Sequence, residues 1–178
     1  MRETTDRNIT LIGMPGSGKT TLGRILAARL NYRFIDADDL IKRSGRSLQQ
    51  IIDQDGEEEF LRIEGEILSG LQGEKMVMAP GGSCVMSHVA MQHLRNISFV
   101  MFIDVPLHIL ALRLVNVQER GIVGLRDHSL EELSMIRRPL YEWYAHATAF
   151  FPDQDSDPEI SASLLEKIFK NSTEEGHG

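Results

Sequence analysis

Short apolar runs alternate with longer amphipathic stretches along most of the chain. Residues 9–12 are an apolar run ending at Gly13, which is typical of a buried strand. From Gly18 to about Leu30, leucine and isoleucine recur at helical spacing, so a helix is predicted there. The same reasoning predicts further strands over residues 32–35, 76–79, 97–105 and 148–151.

Capping and breaking residues mark the remaining helices. Residues 39–72 are predicted to be helical in two or three pieces, with breaks at Gly45 and Gly56 and an N-cap at Ser47. Ser129, followed three residues later by Glu132, forms a capping box for the next helix. Other helices are predicted over residues 87–95, 106–115 and 158–170. This alternation predicts an α/β fold of three layers, α/β/α, around a five-stranded parallel sheet.

The length and composition of the chain favour a single globular domain. The 178 residues fit a single domain over 1–170, with a disordered tail over 171–178. A net charge of −7 disfavours nucleic-acid and anionic-membrane partners. Cys84 is the sole cysteine, which excludes an internal disulfide, and the apolar start is too short for a signal sequence or span. We therefore expect a cytoplasmic monomer acting on a small molecule.

The turn after the first strand carries a phosphate-binding motif. Gly13 to Thr20 matches G-x-x-x-x-G-K-[ST] in full, between a predicted strand and a predicted helix. Glycines let backbone N–H groups point inward, the helix N-terminus adds a positive dipole end, and Lys19 adds a charge for the β- and γ-phosphates. Thr20 would ligate Mg²⁺. The predicted ligand is a purine nucleoside triphosphate, with these contacts: Gly13, Gly16, Ser17, Gly18, Lys19, Thr20 and Thr21.

A simpler interpretation is a glycine-rich turn that only caps a helix. The motif's Lys-Thr register and its flanking elements favour the phosphate site instead. The dinucleotide fingerprint G-x-G-x-x-G is not met, because Pro15 and Thr21 stand where glycines would be required.

Two carboxylates follow the second predicted strand. Asp36 and Asp38 are two residues apart, so in an extended chain both would face one cleft at the carboxyl edge of the sheet. One could hold Mg²⁺, and the other could accept a proton or hydrogen bond from a substrate hydroxyl. The alternative is that a carboxylate here caps the next helix, and we assign that role to Asp39.

Several motifs together resemble the shikimate kinase family. They are Gly13–Thr20, Phe34-Ile-Asp-Ala-Asp38, Gly56-Glu-Glu-Glu-Phe60 with Glu64, Pro80-Gly81-Gly82, Arg120, and Arg137-Arg138-Pro139-Leu140-Tyr141. The similarity covers nearly the whole chain. It implies an ATP- and Mg²⁺-dependent P-loop kinase of aromatic amino acid biosynthesis, with a mobile lid, that converts shikimate to shikimate 3-phosphate.

The resemblance also implies roles for individual residues. Asp36 corresponds to the Mg²⁺-associated carboxylate, and Asp38 to the one that binds substrate hydroxyls and acts on the reacting proton. Lys19, Asp38 and Arg120 would be catalytic, with Arg120 on the lid. Further positions correspond to ligand contacts: Gly81, Gly82 and Arg137 for the acceptor, and Arg113 and Pro158 for adenine.

Two departures from the family concern the acceptor. The family's second carboxylate-binding arginine follows the phenylalanine, but here the order is Phe60-Leu61-Arg62. One residue turns a helical side chain by about 100°, so Arg62 is a candidate substrate contact in a changed direction. The family's third glycine is Ser83, which adds a side chain beside the pocket.

Other functions therefore stay open at this point. A related kinase for a different small hydroxylated acid or polyol would keep the nucleotide site and change the acceptor. A nucleotide-dependent binding module without turnover is a second alternative. A GTPase would require an N-K-x-D motif, which the sequence lacks, and Lys19 and Asp36 are both retained.

Overall fold

Five parallel strands form the sheet that organises the molecule. A computed structural model describes residues 6–43, 45–115, 122–153 and 156–174. The strands are β1 (Asn8–Ile12), β2 (Arg33–Asp36), β3 (Met76–Ala79), β4 (Ser98–Asp104) and β5 (Ala147–Phe150). Their order across the sheet is β2-β3-β1-β4-β5, and every neighbouring pair is parallel. The predicted strands and sheet are confirmed.

Eight helices connect the strands within the described residues. They are α1 (Lys19–Leu30), α2 (Ala37–Lys42), α3 (Leu48–Asp55), α4 (Glu57–Ser69), α5 (His88–Ile97), α6 (Leu107–Leu114), α7 (Leu130–Tyr144) and α8 (Pro158–Glu174). The capping boxes at Ser47 and Ser129 are both present. The predicted end at Lys170 is wrong, because α8 runs four residues further; hydroxyls of Ser172 and Thr173 bond carbonyls of the preceding turn. Residues 175–178 lie outside the described part.

Helices cover both faces of the sheet. Every residue of β1 and of β4 is buried, which requires apolar cover on both sides of these central strands. Helix α1 packs against α8, while α5 and α7 contact β4. A second, smaller apolar cluster joins α2, α3 and α4 to the segment after residue 121: Ile41, Ile51, Ile52, Phe60 and Val123. Among the described helices, none combines the length and hydropathy required to cross a bilayer.

Because all five strands are parallel, their C-terminal ends lie along the same edge of the sheet. Asp36 at the end of β2 pairs in register with Ala79 at the end of β3. Ile12 at the end of β1 pairs with Phe102 in β4. The loops that leave these strands therefore meet along one edge, where ligands bind in doubly wound sheets.

A histidine ties the end of α7 to the sheet. The Val100 N–H donates to His146 Nδ1 at 2.9 Å, and the imidazole stacks on Phe99 with 5.4 Å between ring centroids. Burial lowers the pKa of His146, and the nearby Arg95 and Arg7 lower it further. The neutral ring is therefore part of the folded structure.

We expect the free energy of unfolding to fall by about 0.5 kcal/mol as His146 is protonated, because solvent screens the charge of this exposed side chain. The lowered pKa means that the unfolded chain binds more protons, so this contribution is present above about pH 6.5 and is lost below it. Urea denaturation from about pH 7 to 5 should show a shallower pH dependence for His146→Gln than for the wild type. His108→Gln, at an exposed position, serves as the control; a His146→Gln profile identical to the wild type would contradict this account.

Candidate active site

The loop between β1 and α1 curves into a phosphate-binding shape, here called the cradle. Glycine occupies the positions in this loop where a side chain would be strained or would clash. Gly13 has φ +151°, and a Cβ there would lie 2.6 Å from the Ile103 carbonyl oxygen. Gly18 adopts the left-handed conformation, with φ 91°, immediately before the first residue of α1. Side chains at these positions would be strained or would clash, so the loop presents backbone at the N-terminus of α1.

Lys19 closes the cradle from within. Its Nζ donates to the carbonyl oxygens of Gly13 and Met14, both at 2.9 Å. Burial lowers the pKa of Lys19 to about 8, and the interaction with Asp38 opposes that shift. The ammonium is therefore charged at neutral pH and is held in the loop that the motif predicted would bind phosphate.

A buried hydroxyl in the same loop has no hydrogen-bond partner among the described residues. Ser17 is 2% exposed, yet its Oγ is unpaired. An unpaired buried hydroxyl is costly. A phosphate oxygen would satisfy it, so the cradle fits a phosphorylated ligand.

The carboxylate of Asp36 links the cradle to the second strand. Its Oδ1 accepts from the Asp38 N–H at 3.0 Å, and its Oδ2 accepts from Thr20 Oγ1 at 3.1 Å. Asp36 is thus the N-cap of α2, and the assignment of the cap to Asp39 is wrong. The helix begins directly after Asp36, so Asp38 lies in its first turn and not in extended chain. The side chains of both aspartates nevertheless line one cavity.

These oxygen ligands fit Mg²⁺. The hydroxyl of Thr20 and the carboxylates of Asp36 and Asp38 are hard oxygen donors beside the cradle. The described residues hold no cluster of three or more His, Cys, Asp or Glu side chains that would form an all-protein metal site. Few protein ligands suit Mg²⁺, which usually keeps several waters and binds substrate phosphates.

One cavity of about 590 Å³ joins the cradle to the loops after β2 and β3. Thirteen of the predicted site residues line it: Gly16, Ser17, Gly18, Lys19, Thr20, Thr21, Asp36, Asp38, Gly81, Gly82, Arg113, Arg137 and Pro158. Arg113 also donates to the Gly16 carbonyl oxygen at 3.2 Å. Phosphate-binding backbone and two arginines thus share one space with Asp38. Burial raises the pKa of Asp38, and the charge of Asp36 raises it further.

Arg137 brings a buried positive charge to the cavity from α7. It is 2% exposed, and its Nη2 donates to the Val123 carbonyl oxygen at 2.8 Å. Its Nη1 is buried and has no partner among the described residues. A guanidinium in this position is suited to a carboxylate. The neighbouring Arg138 instead binds Asp104 with both terminal nitrogens, at 2.8 and 2.6 Å.

Buried side chains anchor the turn after β3 on two sides. The Gly81 N–H and the Ser83 hydroxyl donate to the two carboxylate oxygens of Glu64, at 3.1 and 2.8 Å. Tyr141 donates to the Gly82 carbonyl oxygen at 2.6 Å. Burial raises the pKa of Glu64 to about 7. The turn is therefore fixed between α4 and α7.

Two of the predicted residues that the structure describes do not line the cavity. Arg62 is a correction: it is held by Glu59 and Glu66 on the exposed side of α4, because the shift of one residue turns it away from the cavity. Gly13 shapes the loop but does not line the cavity. Arg120 lies outside the described residues.

Sequence reasoning missed the roles of Glu64 and Tyr141. A signal for Glu64 was present, because Phe60, Glu64 and Leu68 recur every four residues and form the buried face of α4. A carboxylate on such a face requires hydrogen-bond donors. No comparable pattern distinguishes the hydroxyl of Tyr141 from an ordinary aromatic core residue.

Comparisons with known proteins identify the family of this chain. The family model described as Shikimate kinase matches residues 15–170. A shikimate kinase from Microcystis aeruginosa is 37% identical over 165 residues, covering 90% of this chain and 84% of the relative. Threonine synthase-like 1 from Homo sapiens is 34% identical over 166 residues, covering 92% of this chain and 22% of that longer protein.

A solved structure has the same architecture. The shikimate kinase from Acinetobacter baumannii, determined in complex with shikimate, superposes with a TM-score of 0.80 and 28% identity, covering 94% of this chain and 95% of that one. The family match spans most of the chain, and the cradle, the aspartates and the buried arginine share one cavity. This chain belongs to the shikimate kinase family.

Proposed function

We propose that this protein is a shikimate kinase, which transfers the γ-phosphoryl group of ATP to a hydroxyl of shikimate and releases ADP and shikimate 3-phosphate. One observation carries the choice of acceptor: Arg137, whose buried Nη1 has no hydrogen-bond partner among the described residues, lines the same cavity as the phosphate cradle. A small acid with hydroxyl groups is the ligand that would pair with Arg137 and reach Asp38.

The chain's own groups would act mainly by position and charge. The cradle and Lys19 hold the terminal phosphates, and Arg137 orients the acceptor through its carboxylate. Asp38 accepts a hydrogen bond from the reacting hydroxyl, and the burial that raises its pKa also makes it a better proton acceptor. Thr20 and Asp36, together with the nucleotide, would hold Mg²⁺, which would supply charge neutralisation on the transferred phosphoryl group.

The remaining assignments are part of the same proposal. Arg113 and Pro158 are the walls of the adenine site, since both line the cavity. Arg120 is the lid arginine, on the resemblance alone. Residues 1–170 act as one kinase domain and as a monomer, in keeping with a length that fits a single domain with its own core. Its dependence on ATP favours the cytoplasm, and the charge of −7 disfavours nucleic acid as a partner.

A second candidate is a related kinase with a different small hydroxylated acid or polyol as acceptor. Leu61 replaces the family's second arginine, and Arg62 is held outside the cavity by Glu59 and Glu66. Among the described residues at the acceptor end of the cavity, Arg137 is thus the arginine that can bind a carboxylate. A coupled ADP-release assay over shikimate, gluconate, nucleoside monophosphates and other polyols separates the two candidates, and ADP release with shikimate alone supports the first.

Removing the positive charge of Lys19 from the cradle tests whether the protein transfers phosphoryl groups. We expect Lys19→Ala, and Lys19→Met with most of the stem kept, to reduce kcat at least about a hundredfold. The measurement is shikimate-dependent ADP release by folded protein. Lys170→Met, at an exposed lysine of α8, is the matched control and should behave as the wild type. Near-normal turnover in Lys19→Met would remove the kinase assignment.

The unpaired hydroxyl of Ser17 predicts opposite effects on stability and binding. Ser17→Ala removes a buried polar group without a partner, so the free protein should be equally stable or up to about 1 kcal/mol more stable. Affinity for a non-hydrolysable ATP analogue should fall about five- to tenfold, a loss of about one hydrogen bond. Calorimetry and urea denaturation measure both; Ser172→Ala on α8 is the control. Unchanged nucleotide affinity would contradict the assignment.

Restoring the second arginine tests the acceptor. In Leu61→Arg, a charge-assisted bond to the shikimate carboxylate should lower the KM for shikimate about tenfold. The KM for ATP should not change. Arg62→Leu should leave both constants unchanged, because Arg62 lies on the exposed side of α4. A Leu61→Arg protein that is folded but shows no gain for shikimate would favour the second candidate.

A further inference from the structure

The turn Gly81-Gly82-Ser83 forms part of the cavity wall at the end where Asp38 and Arg137 stand. Neighbouring residues restrict how far the backbone of this turn can move. A Cβ on Gly82 would lie 2.7 Å from Cδ of Pro15 in the phosphate cradle, so the two loops are in close contact. The place of the turn therefore sets the distance between the acceptor and the cradle.

Glu64 holds the other side of this turn. It is 1% exposed, and its two carboxylate oxygens are used separately, one by the Gly81 N–H and one by the Ser83 hydroxyl. A Cβ on Gly81 would collide with Glu64 Oε1, so the carboxylate is in direct contact with the backbone of the turn. Glu64 forms no salt bridge within the described residues. Its charge depends on these two donors, together with the more distant Arg137.

We propose that Ser83 and Glu64 act as one hydrogen-bonded unit that sets acceptor specificity: Ser83 is the specificity-determining residue, and Glu64 is a positioning residue that acts through it. The inference rests on the proposed function. The Ser83 hydroxyl is committed to Glu64, so its side chain presents carbon to the cavity and narrows the acceptor end.

The burial of Glu64 explains why the serine hydroxyl matters. Burial raises the pKa of Glu64 to about 7, whereas the bonds from Ser83 and Gly81 favour the charged form. Without the hydroxyl, one buried carboxylate oxygen would have no donor. The carboxylate would then draw in water or shift, and the turn would move with it because Gly81 is bonded to the same group.

The test is steady-state kinetics on Ser83→Ala, Glu64→Gln, Glu64→Ala and the double variant Ser83→Ala/Glu64→Ala, in the full chain. We expect Ser83→Ala and Glu64→Ala to raise the KM for shikimate about five- to tenfold while the KM for ATP stays within twofold. Glu64→Gln should retain most of the wild-type KM, because the amide oxygen can still accept from Gly81 while the amide N–H₂ donates to Ser83. If the two residues act as one unit, the double variant should be no worse than Ser83→Ala alone.

Glu66→Gln, on the exposed side of the same helix, is the matched control and should change neither constant. Wild-type protein without shikimate-dependent ADP release would overturn the proposed function. Active wild-type protein would overturn the inference under any of three results: an unchanged shikimate KM in folded Ser83→Ala, equal increases in both KM values, or strictly multiplicative effects in the double variant. Thermal unfolding of each variant separates loss of folding from loss of acceptor binding.

Discussion

Charged groups buried at the carboxyl edge of the sheet must find hydrogen-bond partners at that edge. Lys19, Glu64 and Arg137 are nearly inaccessible to solvent, and each comes from a different helix. Lone buried charges are strongly unfavourable. Backbone carbonyls accept from Lys19, donors in the turn after β3 serve Glu64, and Arg137 Nη1 has no partner among the described residues. The shape of the site follows from this distribution of partners.

Different parts of the chain line the two ends of the cavity. The nucleotide end combines the backbone of the glycine-rich loop with the side chains of Ser17, Lys19 and Thr20 from the same short segment. The acceptor end consists of side chains from α2, α4 and α7 and of one three-residue turn. Replacements in those side chains alter the acceptor end directly. This explains how the departures at Leu61 and Ser83 coexist with an intact phosphate cradle.

Elements with strong periodicity and caps were predictable from the sequence. The five strands, the breaks near Gly45 and Gly56 and both capping boxes follow from local patterns whose physical causes lie within a few residues. The bend between β2 and α2 was not, because alternation assumes extended chain, whereas Asp36 itself caps a helix that begins at once. Tertiary bonding to Thr20 reinforces that choice.

Parts of the site could not be predicted because they depend on long-range contacts. Arg62 carries the right charge, but its helical position and two nearby glutamates direct it outward. The bond between Glu64 and Ser83 joins residues that are 19 positions apart. Spacing along the sequence says nothing about which donor meets which acceptor across such a distance.

The bonds from Lys19 to the carbonyls of Gly13 and Met14 have a consequence for nucleotide exchange. The ammonium already holds the loop in shape, so an arriving triphosphate does not have to organise it, and the associated entropy is lost during folding. Arrival is then an exchange of partners at a rigid centre, and on departure the same two carbonyls take the ammonium back. The lysine thus organises the loop in advance of the nucleotide.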